Sequence, residues 1–409
     1  MTQKFDVVIV GAGMVGASLS LLLQRAIDQG LKVALIDEHE IKAQGAQQPS
    51  FDDRTTALSL GTKRILDQLG IWHLAASQAC AIEHIQVSQQ GQFGRVRLHA
   101  QDERVDALGY VVPNRAIGHM LSTGLLQQAQ LTRFTPASVS GYVMTEKGAC
   151  LTLEYQGETL NIDGALLVLA DGVTSKGCEQ LGIAQAKYDY QQKAVVCNIS
   201  LDRQHEQWAY ERFTLGGPLA LLPIQGNRFA LVWCLPTEEA EATLALSEGA
   251  FNAKLQNIIG YDKGRIIKSG ERVCYPLVLS QAKEQVRSHL VVLGNAAHGL
   301  HPVAGQGFNL ALRDTKVLAK NIEQTYLQLG RDQLGQVGHL LEYQTAQQQD
   351  QSLTIGMSHY LPTAFTQKGT TWSFLRALGL SAMDVTPLAK TLFTRQAMGL
   401  VGQGPVWRS

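Results

Sequence analysis

The feature that most narrows what this chain can fold into is Gly11-Ala12-Gly13-Met14-Val15-Gly16, set between the apolar run KFDVVIV and the helical pattern MVGASLSLLLQRAIDQ. A second apolar run, KVALID, follows Gly30 and ends at Asp37, 21 residues beyond Gly16. That order predicts strand, tight turn, helix and strand within the first 37 residues. Gly11 permits the turn, Gly13 lets backbone approach a pyrophosphate, and Gly16 lets the helix lie close on the strand. The helix start, with Met14 and Val15 in its first turn, offers N–H groups and a positive dipole end to an anion. A carboxylate at Asp37 suits the hydroxyls of an unphosphorylated ribose, which favours FAD or NAD over NADP.

Two later stretches end apolar runs in a similar way. LLVLADGVTSKG (166–177) reads as a buried strand closing in Ala170-Asp171-Gly172, with Ser175 following. Alone, such an Asp-Gly pair is a turn signal as readily as a site. VVLGNAAHGLHPVAGQGFNLALRD (291–314) reads as a buried strand, a small-residue turn at Gly294-Asn295, and a loop rising into a helix near Asn309. Asn295 can hydrogen-bond polyol hydroxyls. Gly305, Gln306 and Gly307 would present backbone N–H groups at a helix N-terminus, a suitable place for the negative charge of a reduced isoalloxazine ring. His298 and His301 have HxxH spacing, but no third ligand accompanies them, and the expectation is no metal.

At 409 residues the chain is long enough for two interlocked domains. Lys plus Arg and Asp plus Glu number 35 each, so there is no basic footprint for nucleic acid. The six cysteines (80, 150, 178, 197, 234 and 274) are never closer than 19 residues, which excludes CxxC chemistry and reads as reduced thiols of a cytoplasmic protein. Asp6 and the early glycines argue against a signal peptide, and no apolar run approaches the roughly 18 residues of a membrane span. Alternating, strand-like segments occupy 82–100, 149–172 and 193–236, and from about 305 the pattern is mostly helical. The expected fold class is α/β: a Rossmann-like nucleotide-binding domain interrupted by a β-rich domain, with a helical C-terminus. The expected division gives 1–72, 106–183 and 286–340 to the first domain, 73–105 and 184–285 to the second, and 341–409 to the helical region.

GAGMVG, ADGVTS and GNAAHGLHPVAGQGFNLALRD together resemble, in order and spacing over essentially the whole chain, the motifs of the class A flavoprotein aromatic hydroxylases. FDDRTTALSLGT (51–62), ERFTLGGPLALLP (211–223) and LVWC (231–234) resemble the ubiquinone-biosynthesis branch of that family. The resemblance implies a p-hydroxybenzoate hydroxylase-like fold binding FAD, with NAD(P)H as transient reductant and O₂ as co-substrate. It also implies a polyprenyl phenol substrate, 2-polyprenyl-6-methoxyphenol going to the 1,4-benzoquinol. Carried over residue by residue, Gly11, Gly13, Gly16 and Asp37 would hold the ADP half, and Asp171 with Gly172 the pyrophosphate–ribityl region. Gly294, Asn295 and Gly305, Gln306, Gly307, Phe308 and Asn309 would hold the ribityl chain and ring. Arg54 would stand near flavin and reductant, Asn114 (with Arg115 as second choice) would touch the cofactor, and Pro302 would face the substrate. Arg54 also reads as a surface ion-pairing residue beside Asp52 and Asp53, and Pro302 as a loop rigidifier.

Two positions depart from the family pattern: Asn295 stands where Asp is usual, and Cys178 where the Asp-Gly motif usually ends in Arg. No strong catalytic base stands out, and Trp233, Phe213 and Tyr210 read as sheet core as readily as pocket. The C-terminal segment 372–407 mixes apolar positions with Arg376, Lys390 and Arg395. It suits either packing on its own body or a peripheral contact, with the inner membrane or with other ubiquinone-biosynthesis proteins. Two alternatives stay open: a flavin-dependent prenyl reductase on the same scaffold, and a catalytically silent flavoprotein that scaffolds a complex.

Overall fold

A computed structural model describes residues 2–42, 52, 54–301, 305–366, 381, 384 and 386–400. Pro302 and Arg376 lie outside the described residues.

The first sheet is built on β1 (Gln3–Val10), β2 (Val33–Ile36), β7 (Thr132–Phe134), β8 (Glu158–Leu169) and β14 (Leu290–Val292). Spatially these run β14, β8, β1, β2, β7, all parallel. Val7 to Val10 are buried without alternation, as a parallel strand covered on both faces requires. One face packs on α1 (Met14–Leu22), α3 (Asn114–Gln127) and α4 (Gln306–Leu329) through Leu19, Leu121, Leu318 and their neighbours. The other is covered by the antiparallel strands Ala137–Thr145 and Gly148–Tyr155, with Leu151 and Leu153 fully buried.

Parallel pairing has one consequence that decides the site. Val10 is paired with both Ile36 and Leu169, and Leu169 with Val292. The strands therefore end side by side, and Gly11, Asp37, Ala170 and Leu293 leave the sheet on one edge. Motifs almost 300 residues apart in sequence meet there because their strands share a direction and a register.

The second sheet has nine strands. Its core runs β9 (Gln185–Leu201), β12 (Arg228–Pro236), β11 (Pro218–Ile224), β10 (Trp208–Phe213), β4 (His84–Gln89) and β5 (Arg95–His99), with β13 (Val273–Ala282) outside β9. One face buries Trp233, Phe229 and Leu231 against the helices Thr237–Leu244 and Glu248–Ile259. The opposite face looks toward the first domain. Between them lies a small sheet of β3 (Thr55–Ser59), β6 (Gly109–Pro113) and Cys80–Ile82. This is the expected α/β architecture with a β-rich second part and C-terminal helices.

Two of the expected boundaries fall within packed structure. α5 (Val337–Thr366) is one 30-residue helix that passes through 340/341, with Leu340 and Tyr343 buried in the first core. Trp72 and Ala75, on either side of the expected boundary at 72/73, belong to that same core. The last described helix, α6 (Pro387–Ala397), packs on the body: Met398 and Leu400 join Phe213, Leu98 and Phe365 in one buried cluster.

Candidate active site

The turn after β1 is cramped in the way its glycines predict. Gly11 has φ +101°, and a Cβ there would lie 2.5 Å from the Ala170 carbonyl oxygen. A Cβ on Gly16 would lie 1.8 Å from the carbonyl oxygen of Gly11, so α1 sits directly on the turn. Gly13 caps α1, and Met14 and Val15 form its first turn. Asp37 locks this arrangement. Its Oδ2 accepts the Ala12 N–H at 2.6 Å and its Oδ1 the His39 N–H at 2.8 Å, which leaves Oδ2 acceptor capacity for a ribose hydroxyl.

A cleft of about 190 Å³ opens here, lined by Gly11, Asp37, Glu38, Tyr142, Asp171 and Lys176 among others. Asp171 follows β8, and burial raises its pKa. One carboxylate oxygen is buried without a partner, while the other accepts from the Gly177 N–H at 3.4 Å. Gly172 has φ +88° and open space around it. An orphaned carboxylate oxygen and the Gly11 turn on one cleft, with the α1 N-terminus following two residues after that turn, fit the ADP half of FAD. Cys178 is buried among Leu169, Ala149 and other core residues, so the place of the usual arginine is here part of the core.

The third motif leads into a larger cavity of about 430 Å³. Gly294, φ +65°, turns the chain against Val15 of α1, and a Cβ there would meet that side chain at 2.8 Å. Asn295 stays exposed and lines the cavity, with no side-chain hydrogen bond among the described residues. The α4 start does the same: Gly305 (φ +59°) is its cap, and Gln306, Gly307 and Phe308 form the first turn facing the cavity. A polar amide beside a helix N-terminus on an apolar cavity fits the ribityl and ring half.

Several expected residues turn out to serve the protein first. Asn309 uses its whole side chain internally. Its Oδ1 accepts from the Ser59 N–H (2.8 Å) and the Thr62 hydroxyl (2.7 Å), while its Nδ2 donates to the carbonyls of Ala57 and Gly305 (both 2.8 Å). It fastens α4 to β3 and to α2 (Leu60–Gln68), and leaves no side-chain group for a cofactor. Asn114 accepts from the Thr56 hydroxyl (2.7 Å) and donates to Asp52 (3.1 Å), holding the turn that carries Arg54. The Arg54 guanidinium bonds Asp52 and lies 4.8 Å over the Tyr275 ring, outside the cavity lining. His298 pairs with the fully buried Asp314 at 2.9 Å, and Gln351 donates to that same carboxylate. His301 lines the cavity with its ring edge-on to Tyr190, and burial pushes its pKa down to about 4.

The rest of the cavity is mostly apolar. Ile85, Val87, Val96, Leu98, Ala209, Phe213, Ala220, Leu222 and Val232 come from the second sheet, and Leu361, Phe365 and Phe393 from α5 and α6. Phe213 thus faces the cavity, whereas Trp233 is buried on the opposite face. One lining residue had no counterpart in the sequence reading: Glu211, in the middle of β10. The signal was present only as one acid in a strand whose register was unknown.

The chain's residues 4–336 match the family model described as "FAD binding domain". It is 34% identical over 401 residues to the ubiquinone hydroxylase UbiL of Rhodospirillum rubrum, covering 98% of this chain and 91% of that protein. It is 26% identical over 434 residues to the human mitochondrial ubiquinone biosynthesis monooxygenase COQ6, covering 95% and 91%. Among solved structures it is similar to the p-nitrophenol 4-monooxygenase PnpA of Pseudomonas putida, with a TM-score of 0.77 at 14% identity, covering 99% of this chain and all of that one.

Proposed function

Because this chain belongs to the FAD-binding-domain family of flavin-dependent monooxygenases, with ubiquinone hydroxylases as its relatives, we propose that it hydroxylates a 2-polyprenyl-6-methoxyphenol to the 1,4-benzoquinol with NAD(P)H and O₂. The observation that carries the reading is the cavity of about 430 Å³, apolar on its C-terminal helix wall and, but for Tyr210 and Glu211, on its sheet wall, and bounded by Asn295 and the α4 turn. Its volume falls within the roughly 300–1,000 Å³ of small-molecule sites.

Bound FAD would carry electrons from the reductant to O₂ and activate it, so that one oxygen atom of O₂ enters the ring. The protein holds, orients and excludes water. Gly11, Gly13, the α1 start and Asp37 take the ADP half; Asp171 and Gly172 follow; Asn295 and the α4 turn take the ribityl and ring half. Leu98, Val232, Phe365 and Phe393 surround the phenol and its tail with hydrocarbon. Arg54, half-exposed beside Tyr275, would meet the nicotinamide reductant; its contacts with Tyr275 and Asp52 leave part of it open to solvent.

The ring position follows from the substrate. A phenol directs an electrophilic oxygen ortho or para, and both ortho carbons of this one are substituted. Feeding a short-tailed 2-prenyl-6-methoxyphenol with NADH and ¹⁸O₂ tests the reading, with label expected at the para carbon. Saturation of the tail without oxygen uptake would give the chain a reductase role instead.

A further inference from the structure

Glu211 is the one charged residue among the described residues that line the cavity. It stands mid-strand in β10, between Ala209 and Phe213 on the same face. Its cross-strand neighbours are Val87 of β4 and Ala220 of β11, with Val232 of β12 beyond. The carboxyl therefore rises alone from a hydrocarbon wall, with no hydrogen-bond or ion-pair partner among the described residues. Arg212 alternates to the opposite face, where its guanidinium reaches the Ile259 carbonyl. Lys193 is paired with Glu241.

Other titratable groups do not neutralise it. Of the lining side chains only Tyr210 and His301 titrate besides Glu211, and His301 is held neutral by burial. On β12, Cys234 is buried and burial raises its thiol pKa, so it stays protonated. β3, β4 and β5 bring no titratable side chain to the lining, and α5 and α6 bring only Leu361, Phe365, Phe393 and Ala397. Burial pushes Glu211 up to about 7. An acid so placed weakens the fold, since an apolar side chain would fit the wall better. Such a group points to a ligand that uses it.

We propose that Glu211 receives the ring hydroxyl of the substrate, accepting its hydrogen bond and then its proton, and thereby sets which ring carbon faces the oxygen donor. The inference rests on the reading that the cavity holds a phenol. The phenolic O–H bond breaks, a new O–H bond forms on a Glu211 carboxylate oxygen, and the electron pair stays on the phenol oxygen. The phenolate so formed enriches its ortho and para carbons. The para carbon is the ring atom farthest from the hydroxyl, so an oxygen anchored at the sheet turns that carbon away from it. The lining away from the sheet includes Asn295 and the α4 turn. The redox chemistry is unchanged; only a proton moves, and it returns to solvent when product leaves.

Glu211→Gln keeps the shape and removes the proton acceptor. With 2-prenyl-6-methoxyphenol, NADH and O₂, flavin content should stay at wild-type level while hydroxylation falls by about 10²-fold or more. In wild type, kcat should rise with pH through about 7, and the variant should lose that limb. A difference spectrum should show the band of the bound phenol displaced by its hydrogen bond to the carboxylate in wild type, and displaced less in the variant. Stability tests the raised native pKa on its own. The native carboxyl keeps its proton up to about 7 and the unfolded one only to its ordinary range, 4.5. Between those values the native state binds the extra proton, so wild-type stability falls as pH rises, and stays low above 7. The variant should lack that fall and melt higher at pH 8. Wild-type kcat with an unchanged pH profile in Glu211→Gln overturns the inference and leaves the hydroxylase reading standing. No turnover of the phenol by wild type overturns both.

Discussion

Asn295 is exposed between buried Gly294 and Ala296, in a turn fixed by strand pairing on one side and Val15 on the other. Nothing in the described protein uses its amide, which is how a group reserved for a cofactor hydroxyl should stand. Asn295→Asp should bind FAD nearly as well, because a carboxylate accepts the same hydrogen bond. Asn295→Leu should weaken FAD binding by about 1–3 kcal/mol, read by titration of the apoprotein. Equal affinity in the Leu variant would remove Asn295 from the site. Asn295, Asp37 and Asp171 were legible because each follows a buried apolar run, where a parallel sheet exposes its strand ends. Glu211 was not, because one acid in ERFTL faces the cavity or the far side depending on a register that local sequence does not carry. Asn309 and Asn114 show the converse: polar residues beside a binding loop whose side chains are turned inward, to Ser59 and Thr62 or to Thr56 and Asp52.

At the scale of elements, the βαβ unit depends on α1 lying directly on the turn it follows. A methyl on Gly16 would stand 1.8 Å from the Gly11 carbonyl oxygen, which is backbone and cannot swing away. Gly16→Ala should therefore displace the start of α1, give colourless or flavin-poor protein, and lower stability by about 1–3 kcal/mol as overpacking does. Gly249→Ala, in an exposed helix where the added carbon meets nothing within 4 Å, is the control and should stay yellow. Absorbance of the purified proteins near 450 nm (roughly, the flavin band of any bound FAD) separates the two, and a fully yellow Gly16→Ala would mean that α1 tolerates a shift. The βαβ elements were legible because strand period, glycines and helix period change in quick succession. α5 was harder to delimit: it buries Gln347, Thr354 and Ser358 as well as Leu340 and Tyr343, so its polar and apolar positions are not segregated. Its start at Val337 and its passage through the expected boundary follow from what it packs on, which the helix's own pattern does not state.

The cavity belongs to the whole molecule, since β3, the second sheet, the α4 turn and the two C-terminal helices each supply a wall. The last of these was the least legible. A segment with apolar positions and scattered cations suits packing on its own body as well as a peripheral contact; here Phe393, Met398 and Leu400 pack toward Leu98, Phe213 and Phe365, and Lys390 reaches Asp102 at 3.4 Å. Phe365 of α5 stacks on Phe213 of β10 with ring centroids 4.0 Å apart, so helix and sheet meet over the substrate space. The residues proposed for the ADP half of FAD lie elsewhere, around Gly11, Asp37 and Asp171. Phe365→Ala should thus leave flavin binding and reductant oxidation in place while opening the apolar enclosure beside the phenol. A ring held loosely meets the oxygen donor less often, and the balance of O₂ leaves as hydrogen peroxide. The expected result is less labelled quinol and more peroxide per NADH consumed, together with a loss of stability of about 3–5 kcal/mol for a buried phenyl group. Phe393→Ala, on the other helix of the same wall, should move the ratio in the same direction. An unchanged ratio of product to NADH in both variants would mean that the C-terminal helices close the fold without shaping the reaction, and that the sheet and the α4 turn alone confine the substrate.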